Sequence, residues 1–322
     1  MEIRNDFNLP EAVYNTLAHD HYTPGDSDYS ITGLMAPPQQ TALMARHRDK
    51  VSIDATENMY SVFGTAVHSI IEKHTEEEAL SEKRVYINVD AGGTRYTIGG
   101  QIDYYRAGVI RDYKVTTVNA YLMGSRFESW RKQLNSYAYL MVQNGYPVRH
   151  IEICMIFRDW SQFKARQVDY PQSPIIVKPF VKLPRNVAQQ YITNALSAHV
   201  YASTLSDSEL ADKLPCSDRD MWRRSPMFAL HRIGAKRALR VLDTKDKILK
   251  WADTKHYLKP YTDGRRKLQR SFYIEERPGE CVRCANFCLV KDYCHQYQQE
   301  LNETIEKEKL LADAKAQKKV QK

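Results

Sequence analysis

Residues 84–118, RVYINVDAGGTRYTIGGQIDYYRAGVIRDYKVTTV, constrain the fold more than any other stretch of the chain. They are rich in Tyr, Val, Ile and Thr, which suit a pleated surface, and they are interrupted at Gly92-Gly93 and Ala107-Gly108, where hairpins can turn. The pattern predicts three strands in a meander. Helical spacing surrounds it. SVFGTAVHSIIEKHTEEEALSE (61–82) sets Val62, Ala66 and Ile70 on one stripe, with Val67 and Ile71 beside it and His68 next to the buried side. ESWRKQLNSYAYLMVQNG (128–145) repeats Trp130, Leu134, Tyr137 and Met141 and stops at Gly145, a residue able to take the left-handed conformation that ends helices. HIEICMIFRDW (150–160) and KARQVDYPQ (164–172) alternate like strands, and RNVAQQYITNALSAHVYAST (185–204) reads as another helix.

The order helix, strands, helix, strand makes residues 56–205 an α/β core of ordinary domain size. Residues 1–55 read as a cap or arm, with turn-rich HYTPGDSDYS and MAPPQQ ahead of a helix-compatible TALMARHRDK. Residues 206–300 change character and form a C-terminal lobe, and 301–322 read as a solvated helix fraying into a basic tail.

The chain of 322 residues is 43% hydrophobic, enough for a normal core, yet it has no apolar run long enough to span a bilayer. Its N-terminus lacks the basic-then-apolar order of a secretory signal, so the expectation is a cytoplasmic protein with no membrane partner. A net charge of +8 and a pI near 9.0 favour a polyanionic partner, because neutralising phosphates releases counterions. No G-x-x-x-x-G-K-[ST] loop is present, so any unwinding of DNA must come from elsewhere.

A two-residue turn at Ala107-Gly108 pairs residues whose numbers sum to 215, which puts Asp103 directly across from Asp112. Period-2 alternation places Asp112 and Lys114 on one face of their strand. Opposed carboxylates repel unless a cation lies between them, and hard oxygen donors select Mg²⁺ or Mn²⁺. Lys114 could then orient or help deprotonate an attacking water and offset charge growing on a phosphate. The set amounts to a hydrolytic site for phosphodiesters. A solvated Asp-x-Lys face is the plain alternative.

The ordered series Gly64-x-x-x-His68, Gly100-x-Ile102-Asp103, Asp112-x-Lys114 and Gln133-x-x-x-Tyr137 resembles the RecB-like exonuclease branch of the PD-(D/E)xK nuclease superfamily, over about residues 60 to 140. The motif carries Asp112 where Glu is an option, which the superfamily pattern permits. The resemblance implies a restriction-endonuclease-like mixed sheet flanked by helices. It implies His68, Asp103, Asp112 and the Tyr113 main-chain carbonyl as ligands to Mg²⁺ or Mn²⁺, with Lys114 as the catalytic lysine. Gln133 and Tyr137 lie one helical turn apart and would position DNA or the active-site groups. A DNA exonuclease acting in recombination, repair or phage DNA processing follows, with a helicase or recombinase partner suggested by kinship.

Cys281, Cys284, Cys288 and Cys294 follow a C-x2-C-x3-C-x5-C pattern, which in a reducing compartment calls for a metal centre. Both a 4Fe-4S cluster and tetrahedral Zn²⁺ accept four thiolates, and either would be structural in so small a lobe. Relatives in the RecB-like branch carry an iron-sulfur cluster with one cysteine before the core and three after it. No cysteine precedes Cys154 here, so either all four ligands are local or Cys216 substitutes for one. Cys154, in IEICMIF, reads as a small buried hydrophobe. The rival to the nuclease is a non-catalytic nucleic-acid-binding protein built on a zinc module and a basic surface, including the interleaved aromatic and basic residues of KWADTKHYLKPYTDGRRKLQRSFYIEER (250–277).

Overall fold

Three runs of β-branched and aromatic residues, two tight turns and the helices between them set the architecture of a computed structural model that describes residues 1–19, 25–74, 76–260 and 265–306. Two compact units result, Met1–Leu210 and Ala211–Lys322. The first contains β1 (Glu2–Arg4), α1 (Glu11–Ala18), β2 (Tyr29–Ser30), α2 (Ile31–Leu34), α3 (Pro38–His47), β3 (Ser52–Asp54) and α4 (Met59–Glu72). The meander follows as β4 (Leu80–Ala91), β5 (Thr94–Arg106) and β6 (Val109–Thr116). After it come α5 (Val118–Leu122), α6 (Phe127–Gln143), β7 (His150–Phe157), β8 (Ile175–Phe180) and α7 (Arg185–Thr204), and the boundary at Leu210 falls within α8 (Asp207–Lys213).

Both meander turns hold positive φ at both central residues, Gly92 and Gly93 at 58° and 79° and Ala107 and Gly108 at 47° and 85°, as two-residue hairpins of right-twisted strands require. The sheet order is β2-β5-β6-β7-β8, with β4 also on β5. β4–β5, β5–β6 and β7–β8 are antiparallel, whereas β2–β5 and β6–β7 are parallel, so the sheet is mixed. Helices flank it, and the fold is mixed α/β. The parallel β6–β7 step needs a crossover, which α5 and α6 supply. Its core joins Ile98, Ile102, Ile110, Ile151, Ile153 and Met155 of the sheet to Leu134, Leu140 and Met141 of α6.

The α6 stripe is buried as expected at Trp130, Leu134, Tyr137 and Met141, and Gly145 has φ +83° just past the end. α7 spans the residues read as a helix. Cys154 is buried in β7. Two expectations differ. KARQVDYPQ is not a strand: Lys164–Arg166 form a 3-10 turn, and Trp160 Nε1 donates to Pro171 O, pinning the segment as a loop before β8. Pro171 and Pro174 remove ladder donors there. The α4 stripe is not a core stripe either, since α4 buries no residue and leaves Ile70 exposed.

Gly100 shows how tightly α6 docks on β5. An added Cβ would sit 2.9 Å from Leu140 Cδ2 and 3.2 Å from the Tyr137 ring. Gly100→Ala is expected to cost about 1–3 kcal/mol of stability by overpacking, read as a lower urea midpoint at unchanged m-value.

The second unit begins after Leu210 and holds β9 (Arg223–Arg224), β10 (Met227–Arg232), β11 (Arg240–Leu242), α9 (Lys245–Thr254), β12 (Leu258–Pro260), β13 (Arg266–Leu268), β14 (Phe272–Arg277), β15 (Glu280–Cys281) and α10 (Val282–Asn286). Residues 295–306 are helical. The expected basic tail from 307 onward lies outside the described residues. A small core of Leu230, Ile248, Ala252 and Leu258 joins α9 to the sheet β11-β10-β14. Among the described residues no helix is long and apolar enough to cross a membrane.

Candidate metal and phosphodiester site

The hairpin β5–β6 pairs Arg106 with Val109, Tyr105 with Ile110 and Tyr104 with Arg111, and Asp103 and Asp112 are the next residues of their strands beyond the last pair. Regular ladder pairing stops at Tyr104–Arg111. Tyr113 N–H donates to Asp103 Oδ2 at 2.8 Å, so a carboxylate takes a backbone donor where the strands part. On β6, alternation brings Lys114 Nζ to 2.7 Å from Asp112 Oδ2, and Asp112 is only 1% exposed.

α4 delivers His68 to the same place. Its Nε2–H donates to Tyr113 O at 2.9 Å, and its Nδ1 lies 3.6 Å from Asp103 Oδ2 and 3.9 Å from Glu82 Oε1. The Tyr113 carbonyl thereby orients the imidazole, as backbone oxygens commonly do for metal-binding histidines. His68, Glu82 and Asp103 form the group of donor atoms lying within 4.8 Å of one another among the described residues. Glu82 is absent from the set expected from the sequence. It faces Asp103 in the β4–β5 register, between the pairs Ser81–Tyr104 and Lys83–Ile102, and it takes φ +49°. A left-handed backbone at a non-glycine strand residue is uncommon and strained. Gln101 donates to Glu82, and Arg84 to Gln101, so the carboxylate is held from behind.

Charge in the site is unbalanced. Burial, then the negative charge of Asp112, pushes the Asp103 carboxyl up to about 7, against the opposing pull of Lys114, His68 and the Tyr113 N–H. Glu82 raises the His68 pKa, and Asp103 adds to this in spite of burial. Burial works against the Lys114 ammonium, but Asp112 and Asp103 outweigh it, so its pKa is raised and it stays protonated. Burial likewise opposes ionisation of Glu82, yet the hydrogen bonds to His68 and Gln101 win and its pKa is lowered. His68, Glu82 and Asp103 thus offer one nitrogen and two carboxylate donors within reach of one another, a donor set able to hold a metal ion.

Gln133 and Tyr137 of α6 are buried and joined by a Gln133 Nε2–H to Tyr137 Oη bond of 3.0 Å. Both line, with His68, Glu82, Asp103 and Lys114, a cleft of about 1020 Å³ in the first unit.

In the second unit Cys281, Cys284 and Cys294 are buried and Cys288 is half-buried. A fifth thiol, Cys216, packs with Cys281 and Cys284 around Met221. Gln296, just past Cys294, clasps the Cys216 backbone, accepting from its N–H at 2.8 Å and donating to its carbonyl at 3.0 Å. Cys281 Sγ donates to Glu300 Oε2 at 3.0 Å. Burial, with further sulfur groups close by, pushes the Cys216 and Cys284 thiols up to about 12. Among the described residues these thiols do not form a group of donor atoms within 4.8 Å of one another, unlike His68, Glu82 and Asp103.

No family model and no curated protein matches the sequence. Among solved structures the chain is similar to one titled "Crystal structure of SSO0001", with a TM-score of 0.42 and 13% identity over 63% of this chain and 90% of that one. A likeness that loose carries no argument.

Proposed function

We propose that the chain is a Mg²⁺- or Mn²⁺-dependent deoxyribonuclease of the PD-(D/E)xK type, close to the RecB-like exonuclease branch, with its mixed sheet as a restriction-endonuclease-like core. The observation that carries the reading is Asp103 and Asp112 just beyond the last pair of one hairpin, with Lys114 Nζ 2.7 Å from Asp112 Oδ2 and His68 Nδ1 3.6 Å from Asp103 Oδ2. His68, Glu82 and Asp103 would hold the ion, with Asp112 alongside. When bound, it would supply Lewis acidity to the phosphodiester and acidify a water. Lys114 remains a cation, so it offsets charge on the phosphate and orients the attacking water rather than acting as a base in the metal-free state. Gln133 fixes the Tyr137 hydroxyl at the cleft wall, where the pair positions substrate. Recombination, repair or phage DNA processing in the cytoplasm of a bacterial or infected cell is the setting, with a helicase or recombinase as partner. The test is digestion of linear DNA in Mn²⁺, present in the native protein and lost in Asp112→Asn.

For the cysteines we propose a structural 4Fe-4S cluster or Zn²⁺ held by Cys284, Cys288, Cys294 and Cys216, because Glu300 already engages Cys281. Cys216→Ser is expected to lose the metal, measured as iron, sulfide and zinc per chain together with absorbance near ~400 nm, a band that closed-shell Zn²⁺ does not give. Cys281→Ser is expected to keep it. The reverse result would return the fourth place to Cys281.

A further inference from the structure

The positive charge of the chain is concentrated. Residues 219–270 hold 16 Lys and Arg against 5 Asp, a surplus of 11 that exceeds the net +8 of the whole sequence. Between Asp220 and Asp243 there is no acidic residue at all.

The second unit's three-stranded sheet sorts this charge by end. β10 pairs Arg232 with Phe272 of β14 and Leu230 with Arg240 of β11, so Arg232, Arg240 and Arg270 come to one end of the sheet. The β10–β11 loop at that end carries Lys236 and Arg237. Glu275 and Glu276 are paired with Ala229 and Phe228, toward the other end. The loop is fixed by its backbone: Ala235 N–H donates to Arg232 O, Ile233 N–H to Ser271 O and Leu239 N–H to Leu230 O.

All five cations are exposed. Elsewhere in the unit Arg223, Lys247, Arg266 and Arg277 are spent in ion pairs with Glu300, Asp243, Asp253 and Glu275. Among the described residues, Arg232, Lys236, Arg237, Arg240 and Arg270 have no carboxylate partner. Beside them Ile233 is 64% and Leu239 40% exposed.

We propose that this sheet end is a docking surface for the phosphate backbone of DNA, giving the substrate a hold in the second unit that is separate from the hydrolytic residues of the first. The choice of DNA rests on the nuclease reading. Unpaired cations carried on adjacent strands about 4.8 Å apart offer successive contacts to a chain bearing a charge about every 3.4 Å per strand. Two exposed aliphatic side chains are too little apolar surface to anchor the unit in a lipid interface, which makes an anionic membrane the poorer fit.

The test is fluorescence anisotropy of labelled single- and double-stranded oligonucleotides with the full chain in EDTA, titrated in salt. Five phosphate contacts give a slope of log K against log salt near −4.5 for duplex, and the Lys236→Ala/Arg237→Ala pair is expected to flatten it by about 1.8 and to weaken binding roughly tenfold at ~0.1 M salt. Lys245→Ala/Lys250→Ala, exposed cations on α9, is the charge-matched control and is expected to change affinity by less than about threefold. Patch variants that bind like the native protein, a control that loses as much as the patch, or a preference for phosphatidylserine vesicles over DNA would each overturn the proposal. Binding in EDTA does not depend on cleavage. A protein that binds through the patch and cuts nothing in any divalent metal keeps this surface and loses the nuclease reading, and one that cuts while its patch variants bind normally does the opposite.

Discussion

Asp103→Asn is expected to stabilise the metal-free protein at pH 8 and, at the same time, to abolish its tight binding of Mn²⁺. The native carboxyl is pushed up to about 7 by burial and by Asp112, from an ordinary aspartate value of 3.8. A folded-state pKa above the unfolded value means that the associated stability is complete below about pH 4 and is lost as pH rises through about 7. His68, whose pKa is also raised, acts in the same direction at higher pH. The metal-free protein is therefore expected to lose a few kcal/mol between about pH 4 and pH 8, at about 1.4 kcal/mol for each tenfold change in proton affinity. Asparagine keeps the shape and can still accept from Tyr113 N–H, but it carries no charge to repel Asp112, so the pH slope should flatten. Thermal melts across pH, with and without Mn²⁺, read both effects. On the metal-site reading an ion bound to the native protein would displace protons, so its affinity should climb through pH 7 with proton release seen calorimetrically in buffers of different ionisation enthalpy.

The second large effect concerns the β6 pair. On the nuclease reading, Asp112→Asn and Lys114→Gln are expected to lower metal-dependent DNA cleavage by at least about a thousandfold, since Lys114 would offset charge on the phosphate and Asp112 would flank the ion and hold Lys114 in place. Conservative amides are the right variants. Truncating either residue to alanine would leave a buried, unpaired partner 2.7 Å away and cost about 3–5 kcal/mol of stability, which would confuse folding with chemistry. Lys114→Gln should retain metal binding, because the lysine is not among the donors, whereas Asp103→Asn should not.

Much of this site is legible in the sequence. The hairpin register follows from two residues, Ala107 and Gly108, and the same arithmetic applied to the Gly92-Gly93 turn sums pairs to 185 and sets Glu82 against Asp103. Glu82 is nonetheless hard to single out, because it ends the run EEEALSE, where several glutamates look alike and only strand pairing separates one from the rest. Cys216 stands in the sequence only as an alternative fourth ligand, because it packs beside Cys281 and Cys284 through tertiary contacts and Gln296, which leave no spacing signal in the chain. The α4 stripe misleads because Ser61, Gly64, Thr65 and Ser69 of that helix face the cleft, and a helix that presents His68 to a cleft cannot bury all its apolar residues. Propensity also fails at 164–172, where Pro171 and the Trp160 contact outweigh an alternating pattern.

The most direct measurement is the time course of products from linear DNA labelled at one end, with native protein and Asp112→Asn side by side in Mn²⁺, Mg²⁺ and EDTA. The site predicts shortening fragments only with native protein and a divalent ion, and it predicts none in EDTA or with the variant. Equal digestion by the variant, or intact DNA with metal-loaded native protein in every divalent ion, would contradict it.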